Sequence, residues 1–199
     1  MVQLMDAEPV VRHAAPALPR TPERYGSEAI IICDYDPAWP AMFDEERQRI
    51  SQALGPHVLT IEHCGSTAVP GLAAKPIIDL LVGVAKLDDA RAFCREPLQA
   101  LGYTYVPEYE SSFLPNELFF RKGQPWTHHV HVMEPTSVRW ALFLALRDYL
   151  RTEPELARAY GNLKKAVALV FGDDIAGYRR AKAPFVEALN AKAGAKTAR

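Results

Sequence analysis

The sequence predicts an α+β fold, in which a mixed β-sheet precedes a helical C-terminal segment. Short apolar runs rich in β-branched residues, with the length of strands, recur as far as residue 133. From Thr136 onward, apolar residues recur with the period of an α-helix instead. No segment repeats along the chain, and strands followed by helices are typical of α+β domains rather than doubly wound sheets.

Composition divides the chain into one domain and two flanking segments. Residues 1–28 contain several prolines and little periodicity, which predicts an N-terminal extension. Residues 29–190 hold the periodic segments, and a chain of this length usually forms a single core. Residues 191–199 are rich in Ala and Lys without an apolar face, so we expect a C-terminal tail that frays.

In the first part of the domain, predicted strands flank a helix. Residues 29–33 form a short apolar run that favours a strand. A turn at Pro37 leads into a helix with Ile50 and Leu54 on its apolar face, and Gly55 is well placed to end it. The next two predicted strands are Val58 to His63 and Ile77 to Val84.

The remaining elements are three strands and several helices. Asp88 is placed to cap a short helix. A longer helix that starts near Thr136 carries a predicted apolar face formed by Val138, Leu142, Leu146, Tyr149 and Leu150. The other predicted elements are the strands Tyr103 to Val106, Glu117 to Lys122 and Val130 to Met133, and the helices Leu156 to Val170 and Tyr178 to Leu189.

Charge and cysteine content narrow the class of protein. Lys and Arg number 23 against 24 Asp and Glu, so the net charge of -1 provides no field for nucleic acid or a membrane surface. The three cysteines form no CxxC pair, which argues against a disulfide framework or a thiolate zinc site. The N-terminal residues contain no uninterrupted apolar run of the kind that a signal peptide carries. We therefore expect a cytoplasmic protein with a small-molecule or nucleotide ligand.

The turn at Gly65 and Ser66 is a candidate phosphate-binding element. It follows a predicted strand, and a glycine beside a hydroxyl lets backbone N–H groups approach an anion closely. The alternative is that Ser66 only caps the next turn.

Asp79 is the anomaly of the predicted strand Ile77 to Val84, because every other residue there is apolar or glycine. A carboxylate inside a buried strand costs several kcal/mol unless it is paired, hydrogen-bonded or bound to metal. Asp79 is therefore a candidate catalytic residue and metal ligand, with a structural hydrogen-bonding role as the alternative.

Four blocks of sequence resemble those of the GrpB family, over about Ile30 to Leu189. The most specific is His63-Cys64-Gly65-Ser66-Thr67-Ala68-Val69-Pro70-Gly71-Leu72, followed by Lys75-Pro76-Ile77-Ile78-Asp79. The others are Asp34 to Pro40, Phe119 to Lys122 with Thr127 to Val132, and the C-terminal region around Phe143 to Leu150, Tyr160 and Phe185.

This resemblance implies a nucleotidyltransferase-like fold, in which the Gly-Ser turn holds nucleotide phosphates and acids on the next strand hold Mg²⁺. Related domains are fused to dephospho-coenzyme A kinases. Active nucleotidyltransferases of similar fold carry an Asp-x-Asp pair, whereas Ile77 and Leu81 stand where the partner of Asp79 would be. The usual two-metal site therefore cannot form on this strand.

His129 and His131 are candidate metal ligands together with Asp79. Residues two apart in a strand share a face, so both imidazoles can converge on the carboxylate. Imidazole ligands favour Zn²⁺, Mn²⁺ or Fe²⁺, whereas Mg²⁺ prefers oxygen ligands alone. The alternatives are hydrogen bonding within the sheet and direct binding of phosphate by the imidazoles.

Lys75, Arg121 and Lys122 are candidate phosphate ligands by their charge and position. Arg121 and Lys122 alternate along a strand, so at most one of them faces the predicted cleft. Ordinary surface charges are the alternative for each.

Three functions fit these residues. The first is metal-dependent nucleotidyl or phosphoryl transfer to a small acceptor, with Mg²⁺, Mn²⁺ or Zn²⁺ held by Asp79. The second is a non-catalytic module that binds a nucleotide or coenzyme A-type phosphate. The third is a metal-dependent hydrolase that uses Asp79, His129 and His131.

Overall fold

The computed structural model describes residues 30–112 and 116–197, which form a five-stranded mixed sheet with helices on both faces. The strands are β1 Val58–Cys64, β2 Ile78–Val84, β3 Tyr103–Tyr105, β4 Leu118–Lys122 and β5 His128–Met133, in the order β1-β2-β5-β4-β3. Strands β2 and β5 pair in parallel at the centre, and the other neighbours are antiparallel. The predicted α+β class is confirmed.

Three helices cover one face of the sheet: α1 Trp39–Leu54, α2 Leu87–Phe93 and α3 Arg95–Ala100. The main core lies between these helices and alternate strand residues, among them Leu80, Val82, Phe120, Val130 and Val132. Because alternate residues of a strand point to opposite faces, the residues between them face the other side.

The other face carries α4 Pro107–Ser112, α5 Val138–Thr152, α6 Pro154–Phe171 and α7 Ile175–Thr197. Trp140 of α5 packs on Cys64, Leu81 and Met133 of the sheet. Helices α5, α6 and α7 pack on one another and on the segment after β1, through a second cluster that includes Val69, Leu72, Leu150, Tyr160 and Leu189. The C-terminal helices are thereby brought over the carboxyl end of β1.

The predicted strand at residues 29–33 is wrong for the described residues 30–33. Only Cys33 pairs there, through two backbone hydrogen bonds of 2.9 Å with Ala74. Ile30 N donates instead to Gly172 O at the end of α6, 3.0 Å away. The apolar run therefore fills a gap between a loop and a helix and adds no strand to the sheet.

The predicted apolar face of α5 is confirmed in its C-terminal half and wrong in its N-terminal half. Leu150 is buried in the second cluster, and Leu146 and Tyr149 pack against it. Val138 is 76% exposed and Leu142 is 42% exposed, because Trp140 faces the sheet in the first half of the helix.

At the C-terminus, α7 continues to Thr197, so most of the segment 191–199 predicted as a frayed tail is helical. The N-terminal extension predicted for residues 1–28 lies outside the described residues. Over the described part of the chain, no helix combines the length and apolarity needed to cross a membrane.

Candidate functional site

Asp79, His129 and His131 lie together at the centre of the sheet, on the face covered by α5 to α7. Asp79 of β2 is in register with His129 of β5, and His131 follows on the same face. Asp79 Oδ1 lies 3.0 Å from His129 Nδ1 and 3.8 Å from His131 Nε2. One donor atom from each residue lies within 4.8 Å of the others, so a single ion can reach all three. We call these residues the Asp/His cluster.

Glu117, directly before β4, holds His131 from behind. Its Oε1 accepts a hydrogen bond from His131 Nδ1, and its Oε2 accepts one from Arg139 Nε at 2.6 Å. The Glu117 side chain is fully buried. With Nδ1 directed at Glu117, the Nε2 atom of His131 is directed at Asp79, as in the carboxylate–histidine–metal arrangement.

Charges within the Asp/His cluster shift its pKa values. Burial disfavours the charge on Asp79, but hydrogen bonds from His129 and His131 outweigh it and hold the pKa of Asp79 below its ordinary value. Burial lowers the pKa of His129. Burial acts likewise on His131, yet Glu117 and Asp79 raise its pKa to about 9. A metal ion must therefore displace a proton from His131 in order to bind at neutral pH.

Gly65 brings the backbone of the Gly-Ser turn against Asp79. Its φ of +70° favours glycine, and a Cβ at this position would lie 2.1 Å from Asp79 Oδ2. Any side chain at residue 65 therefore strains the turn and displaces the carboxylate. Gly65 thus lets the predicted phosphate-binding turn lie in direct contact with Asp79, the predicted metal ligand.

The rest of the turn is fixed by side-chain hydrogen bonds. Thr67 Oγ1 donates to Ile77 O at 3.1 Å, and His63 Nε2 lies 3.1 Å from the same hydroxyl. Arg151 of α5 donates to Ala68 O at 2.9 Å. The turn is thus held from both the sheet and the helices.

A cavity of about 200 Å³ opens between this turn and the C-terminal helices. Ser66, Asp79 and His129 line its sheet side. Its other walls include the basic residues Lys75, before β2, Lys164 of α6, and Arg179 and Lys182 of α7.

Basic side chains outnumber carboxylates in the lining of the cavity. Lys164 is only 3% exposed, and burial together with the nearby charge of Lys182 lowers its pKa to about 7. Burial and Arg179 lower the pKa of Lys182. Within residues 30–112 and 116–197, no carboxylate forms an ion pair with Lys164, Arg179 or Lys182. An anionic ligand would neutralise these charges.

Most of the sequence-predicted residues meet at this cavity. Ser66, Lys75, Asp79 and His129 line it, while Gly65 and His131 contact Asp79 from either side.

Arg121 and Lys122 separate, as the alternation predicts. Arg121 lies on the face of the Asp/His cluster, where it donates to the Tyr109 hydroxyl at 2.8 Å. Lys122 lies on the opposite face, with its Nζ 2.7 Å from Glu46 Oε1. Lys122 is therefore removed from the candidate phosphate ligands.

The basic residues of the C-terminal helices were not predicted from the sequence. Lys164 follows Tyr160 by one helical turn on the buried face of α6, and Lys182 follows Tyr178 in the same way on α7. A lysine on an apolar face was the available signal. Glu117 was predicted only as a strand residue.

The family model described as GrpB protein matches residues 29–192. The chain belongs to the GrpB family. The resemblance predicted from the sequence is confirmed over nearly the same span.

Three members and relatives show the range of GrpB-like chains. The crystal structure of conserved protein GrpB from Enterococcus faecalis is 38% identical, with a TM-score of 0.78, over 85% of this chain and 100% of that chain. The UPF0157 protein YqkA of Bacillus subtilis is 36% identical over 163 residues, which are 82% of this chain but 47% of YqkA. This chain therefore spans about half the length of YqkA. A dephospho-CoA kinase of Mycolicibacterium paratuberculosis is 30% identical over 75% of this chain and 42% of its own length.

Proposed function

We propose that this GrpB-family protein binds the phosphate groups of a nucleotide-type ligand beside one divalent metal ion and transfers a phosphoryl or nucleotidyl group to a small acceptor. One observation carries this proposal: Lys164, Arg179 and Lys182 converge, without carboxylate partners among the described residues, on the cavity that Asp79 and His129 also line. Lys164 is buried, and a buried cation without a counter-ion is unfavourable unless a ligand supplies the negative charge.

The Asp/His cluster fits a metal ion by the chemistry of its donors. One carboxylate and two imidazoles favour Mn²⁺, Fe²⁺ or Zn²⁺ over Mg²⁺. A bound cation of this kind polarises a phosphoryl oxygen and offsets the charge that develops during transfer. Glu117 would keep His131 oriented for ligation through its Nδ1 hydrogen bond.

The basic residues would hold the phosphates and exclude water from them. Ser66 and Lys75 approach from the turn side, while Lys164, Arg179 and Lys182 approach from α6 and α7. Charge-assisted hydrogen bonds of this kind position a phosphoryl group for in-line attack. This division of labour is what the nucleotidyltransferase-like resemblance implies for the Gly-Ser turn and the following acid.

A second candidate is a binding module without turnover. Among the described residues that line the cavity, Asp79 is the only carboxylate, whereas two-metal phosphoryl transfer uses a pair. The similarity to a dephospho-CoA kinase, an enzyme whose name implies a coenzyme A-type substrate, agrees with a phosphate-binding role.

A thermal-shift panel separates these functions. The protein is heated with ATP, CTP, GTP or coenzyme A, each with and without Mg²⁺, Mn²⁺ or Zn²⁺, because a ligand of the native state raises the melting temperature. Metal-dependent stabilisation followed by transfer of a nucleotidyl group to an acceptor with release of pyrophosphate, or by transfer of a phosphoryl group with release of the nucleoside diphosphate, supports the transferase. Stabilisation without turnover supports the binding module. Transfer of the phosphoryl or nucleotidyl group to water alone supports the hydrolase. No stabilisation by any combination contradicts the proposal.

Asp79→Ala tests the metal ligand itself. The variant is expected to keep the fold and lose metal-dependent stabilisation by the ligand, because the carboxylate is the charged donor of the cluster. Asp88→Ala, at an exposed position on α2, serves as the control and should titrate like the wild type. An unchanged titration in Asp79→Ala would remove this residue from the site.

A further inference from the structure

Ser66 and Lys164 form a close pair at the edge of the cavity. The ammonium nitrogen of Lys164 donates to Ser66 Oγ at 2.9 Å, although the two residues are 98 positions apart in the chain. Both residues line the cavity. The packing of α6 over the Gly-Ser turn therefore places a buried amine beside a hydroxyl that a ligand can reach.

This pair has the geometry of an activated nucleophile and its base. A serine hydroxyl becomes nucleophilic when a base lies within about 2.6–3.2 Å to take its proton. The nearby charge of Lys182 favours the neutral form of the amine, whereas the Asp79 carboxylate favours its charged form. Burial tips the balance towards the neutral amine, with a pKa of about 7, so a base is present at neutral pH.

We propose that Ser66 is a nucleophile and Lys164 its general base, so that group transfer proceeds through a covalent phosphoseryl intermediate. This inference rests on the proposed function, because it needs a phosphate ester in the cavity. Lys164 is a catalytic residue in this scheme, in addition to binding phosphate.

The first step conserves atoms and charge. As Ser66 Oγ forms a bond to phosphorus, its proton passes to Lys164 Nζ, and the bond from phosphorus to the leaving oxygen breaks. Lys164 then gives this proton to the leaving oxygen. In the second step the acceptor hydroxyl attacks phosphorus, Lys164 takes the acceptor's proton, and Ser66 Oγ departs and is reprotonated by Lys164.

The surroundings of Ser66 suit this chemistry. The hydrogen bonds of Thr67 and the contact of Gly65 with Asp79 hold the turn in place, so Ser66 needs little reorganisation. Lys75 and Lys182 line the same cavity and would stabilise the charge on the equatorial phosphoryl oxygens.

The size of the cavity limits which part of a ligand can enter it. Sites that enclose a drug-sized ligand measure roughly 300–1,000 Å³, whereas this cavity measures about 200 Å³. It can enclose the phosphate end of a ligand but not a whole nucleotide. The structure therefore favours transfer of a terminal phosphoryl group from a phosphoanhydride, with the rest of the ligand outside.

A tagged fluorophosphonate tests the nucleophile without knowledge of the substrate, because it phosphonylates activated serines. The whole protein is labelled at about pH 9, above the pKa of Lys164, and the modified peptide is located by mass spectrometry. Wild type is expected to be labelled at Ser66, and Ser66→Ala should not be. Lys164→Met should slow labelling by about 100-fold, the usual contribution of a general base.

Lys165→Met is the matched control, because it removes a cation from the same helix, where it pairs with Asp34, but leaves the cavity and the base of Ser66 intact. Its labelling rate and its affinity for inorganic phosphate should both stay within a few-fold of wild type. Lys164→Gln repeats the test with a polar residue of similar length, so that a folding defect of one variant is recognised.

Two results would overturn the inference: an unlabelled Ser66 in the wild type, or labelling of Ser66 at the wild-type rate in both Lys164 variants. Either could occur while nucleotide and metal still raise the melting temperature, in which case the proposed function stands and transfer is direct. If no nucleotide and metal raised the melting temperature but Ser66 were still labelled, the proposed function and the phosphoryl transfer that rests on it would be contradicted, while the activation of Ser66 by Lys164 would stand.

Discussion

The two faces of the sheet each carry a buried polar cluster, and the clusters differ in whether their charges are balanced. On the α1 face, the carboxylate of Glu46 is 2% exposed and contacts the Tyr103 hydroxyl at 3.0 Å, Lys122 Nζ at 2.7 Å and Arg49 at 3.4 Å. On the α6–α7 face, Lys164 and its basic neighbours surround a cavity. The charge of the first cluster is balanced by partners within the protein, whereas the basic residues that α6 and α7 contribute to the second have no such carboxylate partners among the described residues.

This difference distinguishes a structural polar cluster from a functional one. A buried ion pair that is satisfied within the protein contributes to the uniqueness of the fold and gains nothing from a ligand. A set of cations that share a cavity repel one another, so the folded state is less stable than it could be until an anion binds. Substitutions in the two clusters should therefore have opposite effects on the free energy of unfolding.

The largest expected effect is the loss of stability in Glu46→Ala. Removal of the acid leaves Lys122 and Tyr103 without their buried acceptor, which should lower the free energy of unfolding by about 3 kcal/mol. Chemical denaturation measures this change. The exposed Glu45→Ala on the same helix should stay within about 0.5 kcal/mol of wild type. If Glu46→Ala also abolished phosphate binding, the two clusters would not be independent.

Lys164→Met should change stability in the opposite direction. The apolar side chain replaces a buried amine whose charge is disfavoured at neutral pH, so we expect the free energy of unfolding to rise by about 1–2 kcal/mol. Binding of inorganic phosphate should be lost at the same time. Lys165→Met, on the neighbouring position that pairs with Asp34, should change neither property. A destabilised Lys164→Met would show that the cavity is already balanced.

The metal ligands of the site could be predicted from the sequence, whereas its buried lysine could not. Asp79 was recognised because a carboxylate interrupts an apolar strand, and His129 and His131 because residues two apart share a face. Both signals lie within a few consecutive residues of one strand. The position of Lys164 beside Ser66 depends on how α6 folds back over the sheet, which no local pattern encodes. Lys122 was predicted as a phosphate ligand from its charge. Its position in the pleated strand instead places its side chain on the opposite face, against Glu46.

Glu117→Gln should weaken the metal site without unfolding the protein. Gln keeps the size of the side chain and an acceptor for His131 Nδ1, but it loses the charge that supports the imidazole and balances Arg139. Changes behind a metal ligand commonly reduce metal affinity about 10–100-fold. Titration with Zn²⁺ or Mn²⁺ measures the loss, and Glu134→Gln, whose carboxylate accepts from Leu87 N, is the control. Equal affinities in both variants would mean that Glu117 only balances charge.

The effect least visible in the wild-type protein is the pH dependence of stability, and its measurement requires a difference between variants. The pKa of Lys164 is lowered from 10.5 to about 7 in the folded state, so between these values the unfolded chain binds more protons and stability rises with pH. The pKa of His131 is raised from 6.5 to about 9, which makes stability fall with pH over that interval. The two contributions oppose each other between about pH 7 and 9, so the wild-type profile alone is uninformative.

Subtracting the stability profile of Lys164→Met from that of the wild type isolates the contribution of the lysine. The difference should grow by at most about 1.4 kcal/mol per pH unit in favour of the wild type. A flat difference would mean that Lys164 keeps its proton in the folded protein, and Lys164 could then bind a phosphate but could not act as the base of Ser66.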